Sequence, residues 1–258
     1  MKVLITNDDG VYAEGIKILT NHLSDESLKT TVVAPLEERS TTGHTLSLDN
    51  PLRVVEIDKE KNIYGCSGFP ADCTILGFGH VMESKPDLVI SGINRGANLG
   101  QDVYYSGTVA GAREAVFHKI PGIAISLAFN WGTSETEKLY YDTAGEFLKN
   151  LIVKKGFLEL FSPNMLLNIN VPNLPMDKIK GVRLTHLGFR KYSEGITKRK
   201  DFRNRNYYWL GGLYQGFEGG PKSDCFTIEE GHISLTLLNL LGGFTEEESK
   251  WQEFIGKL

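Results

Sequence analysis

The chain has 258 residues, 41% of them hydrophobic and 23% charged, ordinary globular usage that excludes wholesale disorder, a collagen-like chain and a coiled-coil rod. Its 28 Lys and Arg against 32 Asp and Glu leave a net charge of −4, so no overall basic footprint marks a dedicated nucleic-acid binder. Three cysteines, Cys66, Cys73 and Cys225, include no C-x-x-C pair, which fits neither a disulfide framework nor a zinc knuckle and implies a reducing, cytoplasmic compartment. Val3-Leu4-Ile5 runs straight into Asn7-Asp8-Asp9 without the apolar core of a secretory signal. The longest apolar stretch, 120–129, covers about half a bilayer span, so no membrane partner is expected.

In chain order, a strand over 2–6 is followed by a turn at 7–10 and an amphipathic helix over 14–23 with Ile16, Leu19 and Leu23 on one face. A second strand, 31–34, stops at Pro35, and a polar loop leads to two strands, 52–57 and 63–66, around a charged turn, the pattern of a hairpin. Pro70 opens a helix to about residue 82, as proline in a first turn does, and 87–91 reads as a buried strand. From Gly92 a glycine-rich loop extends to Gly107. Helical periodicity resumes over 108–119, before a strand at 122–127. Short β-branched runs alternating with helices are the pattern of an α/β fold with a mostly parallel sheet, five of whose strands fall in this half.

Past residue 130, a helix over about 135–153 precedes a strand at 166–171 that is a candidate for the same sheet and ends at Pro172. Residues 190–205 carry seven Lys or Arg against only Glu194 and Asp201, and Tyr207, Tyr208 and Trp209 follow. This stretch reads as a solvated hairpin or an oligomer arm, with steering of phosphorylated substrates or a nucleic-acid contact as the alternatives. A turn-rich stretch over 211–223, a strand at 233–237 and a helix near 246–255 complete the chain. The division expected is 1–130 for the α/β core and 131–258 for the remaining sheet elements and C-terminal region, one intimate unit.

Ligands of open α/β sheets bind beyond the carboxyl ends of the strands, and Asn7-Asp8-Asp9-Gly10 stands there after the first strand. Two ionised carboxylates crowded into one crevice repel unless a proton or a cation sits between them; the plainer alternative is a hydrogen-bonded turn. The loops after two other strands contribute Glu38-Arg39-Ser40-Thr41-Thr42-Gly43-His44 and Ser91-Gly92-Ile93-Asn94-Arg95-Gly96. Carboxylate, hydroxyl and amide oxygens without His or Cys form a hard site suited to Mg²⁺ or Mn²⁺ rather than zinc. Singly, Ser40 and Asn94 read as well as turn or cap residues.

Tyr105-Ser106-Gly107-Thr108-Val109 opens a helix where free backbone N–H groups and the helix dipole attract anions, which suits a phosphate; plain capping is the alternative. Neither a G-x-G-x-x-G fingerprint nor a G-K-[ST] phosphate loop occurs. His44 reads either as a solvated loop residue or as a proton donor to a leaving alkoxide. His22, His80, His118, His186 and His232 have no ligand spacing, and Cys66 and Cys73 read as core.

Together, 5–10, Val33-Ala34-Pro35 with Glu38-Arg39-Ser40, Pro70-Ala71-Asp72-Cys73, 91–96, 105–109 and Leu167-Asn168-Ile169-Asn170-Val171-Pro172 resemble, in order and spacing, the SurE (stationary-phase survival protein) family of metal-dependent nucleotidases. The resemblance implies a Rossmann-like core, an extended C-terminal hairpin and helix region used in homodimers or homotetramers, and metal-dependent hydrolysis of nucleoside 5′- or 3′-monophosphates. It assigns one Mg²⁺ or Mn²⁺ per subunit to Asp8, Asp9, Ser40 and Asn94. Asn94, Ser106, Gly107 and Thr108 would lie near the phosphate, and Asp8, Asp9 and Asn94 would carry catalysis. Two departures are Phe69, where the family usually has a small or hydroxyl residue, and 231–237, which lacks the usual aromatic and proline. Water is the expected nucleophile, since the D-x-D spacing of aspartyl-phosphate enzymes is absent; attack by Asp8 is the alternative. A phosphate-sensing protein without turnover is the rival reading of the same loops.

Overall fold

The computed structural model describes residues 1–129 and 138–241. Strand β1 (Lys2–Thr6) leads to α1 (Glu14–His22) and β2 (Lys29–Pro35); β3 (Val54–Asp58) and β4 (Ile63–Cys66) follow. Next come α2 (Pro70–Leu76), β5 (Leu88–Arg95), α3 (Gly107–Phe117), β6 (Gly122–Ala128), α4 (Tyr141–Ile152) and β7 (Met165–Pro172). Strands β4, β2, β1, β5, β6 and β7 pair parallel in that spatial order. The strand expected at 166–171 is thus the sixth parallel member, and β3 closes one side as the antiparallel arm of the expected hairpin. At the other side, β13 (Ile233–Asn239) runs antiparallel to β7 and parallel to β8 (Val182–Thr185), making nine strands. The described residues contain no helix long and apolar enough to cross a membrane.

Successive residues of a strand point to opposite faces, and β1 shows the consequence. Val3 and Ile5 pack with Ile16 and Leu19 of α1 and with Ala144 and Leu148 of α4. Leu4 packs on the far face with Val33, Val89, Cys73 and Ala115, beneath α2 and α3, which lie against each other. All three cysteines are buried and unpaired. Each of these fully buried aliphatic side chains contributes roughly 1.5–3 kcal/mol, and both faces need such residues because helices cover both.

Several boundaries differ from the sequence reading. The helix from Pro70 ends at Leu76 and widens into one π turn over Gly77–Val81. The strand expected at 87–91 continues to Arg95, with its register to β6 shifted between Ser91 and Asn94. That kink carries a cis Gly92–Ile93 peptide bond, and Gly92 has φ +144° with a hypothetical Cβ only 2.3 Å from the Ile125 carbonyl oxygen, so no side chain fits there. The helix expected from 135 is described only from Tyr141; the one expected near 246–255 lies outside the described residues. The basic stretch does fold back on itself. Strands β9 (Phe189–Tyr192) and β12 (Tyr214–Glu218) pair antiparallel, and β10 (Gly195–Lys200) and β11 (Asn206–Gly211) continue the ribbon outward. β12 falls in the stretch expected to be turn-rich. Helix α5 (Asp224–Glu229) returns the chain to β13.

Candidate active site at the carboxyl edge of the sheet

β1 is buried from Val3 onward, and it delivers Asp8 while still inside the protein, at 4% exposure. Asn7 shapes the turn: its Nδ2 donates to the Gly10 carbonyl at 2.9 Å, while its Oδ1 is buried with no protein donor. Asp8 accepts a hydrogen bond from the Thr108 hydroxyl. A Cβ added at Gly107 would stand 2.8 Å from Asp8 Cβ. The first turn of α3 therefore presses directly on Asp8, and a glycine is what allows it. Asp9 accepts the Arg95 N–H at 3.0 Å, which brings it beside Asn94 at the end of β5. From the β2 loop, Arg39 N–H donates to the Asp8 carbonyl at 2.7 Å.

Burial first, and then the charge of Asp9, push the Asp8 carboxyl up to about 7, against the lowering pull of its Thr108 bonds. Asp9 is raised as well, chiefly by burial; the Arg95 N–H opposes the shift and Glu38 adds to it. Among the described residues no Lys, Arg or His forms an ion pair with either carboxylate. The nearby Arg39 instead sets its guanidinium over the Phe69 ring, 5.2 Å from the centroid, and toward the Ser67 carbonyl. Asp8 is buried and Asp9 half-buried, and the Arg95 charge that pulls Asp9 down is outweighed by its burial, so the carboxylate pair is a candidate cation site.

The remaining donors are neutral. Asn94 Nδ2 donates to the Gly96 carbonyl at 2.8 Å, so the amide nitrogen is engaged and the carboxamide oxygen is the free end. Ser40 Oγ donates to Glu38 Oε1 at 2.7 Å, and Glu38 is near enough to raise Asp9. No group of three or more His, Cys, Asp or Glu among the described residues is placed to grip a metal, as befits two carboxylates completed by neutral oxygens. The donor chemistry fits a hard divalent ion.

At the mouth of α3, Ser106 Oγ accepts the Val109 N–H at 3.0 Å. The capping alternative is thus true of Ser106, yet one cap satisfies only one of the first turn's free donors. Thr108 does more than cap, since its hydroxyl holds Asp8.

The structure departs from the solvated reading of His44. Its Nε2 lies 2.7 Å from Glu114 Oε2, its ring stacks on Phe117, and His118 Nε2 meets the other oxygen of Glu114 at 3.0 Å. Glu114 is buried, and hydrogen bonds from His44 together with the charges of both histidines hold its carboxyl below the usual range despite its burial. This cluster sits about 10 Å along α3 from Gly107 at 1.5 Å per residue, so His44 clasps its loop to the far half of the helix. The Glu114–His118 spacing of four was visible in the sequence as a helical pair; the partner from residue 44 was not.

Comparison with known proteins finds relatives over nearly the whole chain. The family model described as survival protein SurE matches residues 3–194. The 5′-nucleotidase SurE of Prochlorococcus marinus subsp. pastoris is 44% identical over 248 residues, covering 92% of this chain and 89% of that protein. The 5′-nucleotidase SurE of Legionella pneumophila is 43% identical over 240 residues, covering 93% and 91%. The crystal structure of the SurE protein from Aquifex aeolicus superposes with a TM-score of 0.82 at 34% identity, over 99% of this chain and all of that one. With its motifs, its sheet order and this likeness over nearly its whole length, the chain belongs to the survival protein SurE family.

Proposed function

We propose that this protein is a divalent-metal-dependent phosphomonoesterase that hydrolyses nucleoside monophosphates to nucleoside and phosphate, a 5′-nucleotidase, as its SurE relatives are named. One observation carries the site: Asp8, buried, and Asp9, half-buried, stand side by side with no ion pair to a protein cation among the described residues, and the first turn of α3 presses against Asp8. Asp8, Asp9, Ser40 and the Asn94 carboxamide oxygen would hold the ion, with Mg²⁺ or Mn²⁺ favoured by an all-oxygen donor set. When bound, such an ion polarises the phosphoryl oxygen and lowers the pKa of water. The phosphate would sit at the N-terminus of α3 beside Ser106, Gly107 and Thr108, where the helix dipole favours an anion; the Thr108 hydroxyl and the Val109 N–H are already engaged by Asp8 and Ser106. The Thr108 hydroxyl holds Asp8 in place, which favours water over Asp8 as the nucleophile.

Stripping the protein with EDTA and measuring phosphate release from a panel of nucleoside monophosphates, with Mg²⁺, Mn²⁺, Ca²⁺ or Zn²⁺ restored singly, tests this. Turnover should vanish and return with Mg²⁺ or Mn²⁺. Asp8→Asn and Asp9→Asn should each lose at least about a hundredfold in kcat while melting cooperatively; full turnover by both would refute the assignment.

The ribbon of β9 to β12 supports a second, separable part of the reading, that the protein is a homo-oligomer joined through this arm. It leaves Ile196, Phe202, Trp209, Leu210 and Leu213 exposed, more apolar surface than an arm in water should show.

A further inference from the structure

The Asn168-Ile169-Asn170 stretch of β7 takes no part in the site above, yet both amides are completely buried. Two residues apart on a strand, they face the same side of the sheet, and both donate to one acceptor. Asn168 Nδ2 and Asn170 Nδ2 reach the Asn98 carbonyl oxygen at 2.9 and 3.0 Å. Asn170 Oδ1 accepts the Asn98 N–H at 2.8 Å, and Asn98 Nδ2 donates to Ser126 Oγ of β6 at 2.8 Å. Asn98 is thereby held through its backbone N–H, its carbonyl and its side chain at once. Two residues earlier, Gly96 N–H donates to the Leu127 carbonyl at 3.1 Å, and the Gly96 carbonyl receives the Asn94 amide. Two sets of hydrogen bonds, joined through the backbone of residues 96–98, thus lead from the middle of β7, by way of β6, to the end of β5.

Stability alone does not call for this arrangement. Asn168 Oδ1 is buried without a partner, a desolvation cost an apolar side chain would not carry. The chain places three amides where an α/β core ordinarily has aliphatic residues, and what they determine is the path of residues 96–98.

We propose that Asn168 and Asn170 are positioning residues, which lock Asn98 and Gly96 so that the Asn94 carboxamide turns its oxygen toward the ion held by Asp8 and Asp9. This rests on Asn94 being a ligand in the function proposed above. The physical logic is that of any metal ligand: the groups hydrogen-bonded behind it fix its orientation, and losing them typically costs 10–100-fold in affinity.

Mn²⁺ binding measured directly, by titration calorimetry or loss of the free-ion EPR signal, tests the proposal on the full chain. Asn170→Leu removes an acceptor and a donor at once, and its Mn²⁺ dissociation constant is expected to rise about tenfold. Asn168→Leu and Ser126→Ala each delete one bond and should show about threefold. A purely structural role would lower the number of sites titrated, by lowering the folded fraction, and leave the affinity of the rest unchanged. Leu148→Ala in α4, a truncation of a fully buried side chain, is the control: a lower melting temperature with wild-type affinity. Wild-type affinity in both Asn170→Leu and Ser126→Ala overturns the proposal, and should Asn170→Leu fail to fold, Ser126→Ala decides it. Asp8→Asn separates the two readings. Wild-type Mn²⁺ binding there removes the metal site itself, whereas lost binding there beside wild-type binding in the asparagine variants removes only the positioning role.

Discussion

The carboxyl edge of the sheet and the outer ribbon solve opposite problems. At the edge, Asp8, Ser106, Thr108 and Asn98 are polar and buried, and Asp8, Thr108 and Asn98 are each held by a partner from a distant segment, so that desolvation sharpens their charge and dipoles. In the ribbon, Trp209 and Leu210 are apolar and exposed at 62% and 84%, and the described strands pair only with one another. Burying polar groups suits the small, charged ligand proposed above; exposing apolar ones suits the oligomer proposed for the arm. The parallel sheet supports the first, while the two-stranded ribbon, a kind of element that is marginal by itself in water, is tied to the body at its base by Arg190 and Tyr192 on Asp102.

The comparison breaks most severely if the edge tolerates a methyl group. Gly107→Ala would bring a Cβ within 2.8 Å of Asp8 Cβ and 2.9 Å of its Oδ2, closer than packed atoms allow. One of the two must move, and kcat should fall at least about tenfold, since a shift of 1 Å in a reacting geometry costs up to about a hundredfold. Near-normal turnover would show that α3 and Asp8 do not have to touch.

A pH series of thermal melts sharpens it further. The Asp8 carboxyl, at about 7 in the folded chain, stands above the ordinary aspartate value of 3.8, so the folded chain binds this proton more tightly than the unfolded one. Its contribution to stability is then fully present below about 3.8 and is lost as pH rises through about 7. A divalent ion competes with that proton. The increment that Mn²⁺ adds to the melting temperature should therefore be larger at pH 8 than at pH 5.5; equal increments would separate the ion from Asp8.

The smallest effect on catalysis belongs to the ribbon. Trp209→Ala with Leu210→Ala should lower the mass seen by light scattering or sedimentation, while kcat stays within about twofold. An unchanged oligomer would remove the arm from the assembly, and a collapsed kcat would place the ribbon at the site.

Much of this was legible from local pattern. The β1 run ending in Asn7-Asp8-Asp9-Gly10, the hydroxyl-glycine opening of α3 and the alternation of strand and helix identify the parallel sheet and its loaded edge, because strand and helix periods and the carboxyl-end rule are properties of the chain itself. His44 was not legible: its partner Glu114 is 70 residues away, and a loop histidine looks the same whether solvated or clasped. The Asn168–Asn170 pair was visible only as a motif, since nothing in a strand's own sequence says that its amides reach residue 98. Nor did glycine content reveal that β5 continues past Gly92, where the neighbouring Ile125 carbonyl decides what fits.

By itself, then, the amino-acid order determined the α/β class, the reach of the sheet to 166–171 as a candidate, and the residues proposed for an ion and a phosphate. Tertiary structure alone decided that Asp8 is buried and high in pKa, that α3 leans on it, that Glu114 takes His44, and that β7 grips the loop behind Asn94. The reason is physical. Periodicity, capping and residue type act within a few positions of one another, whereas desolvation and hydrogen-bond partnership depend on segments that become neighbours only after the sheet has formed.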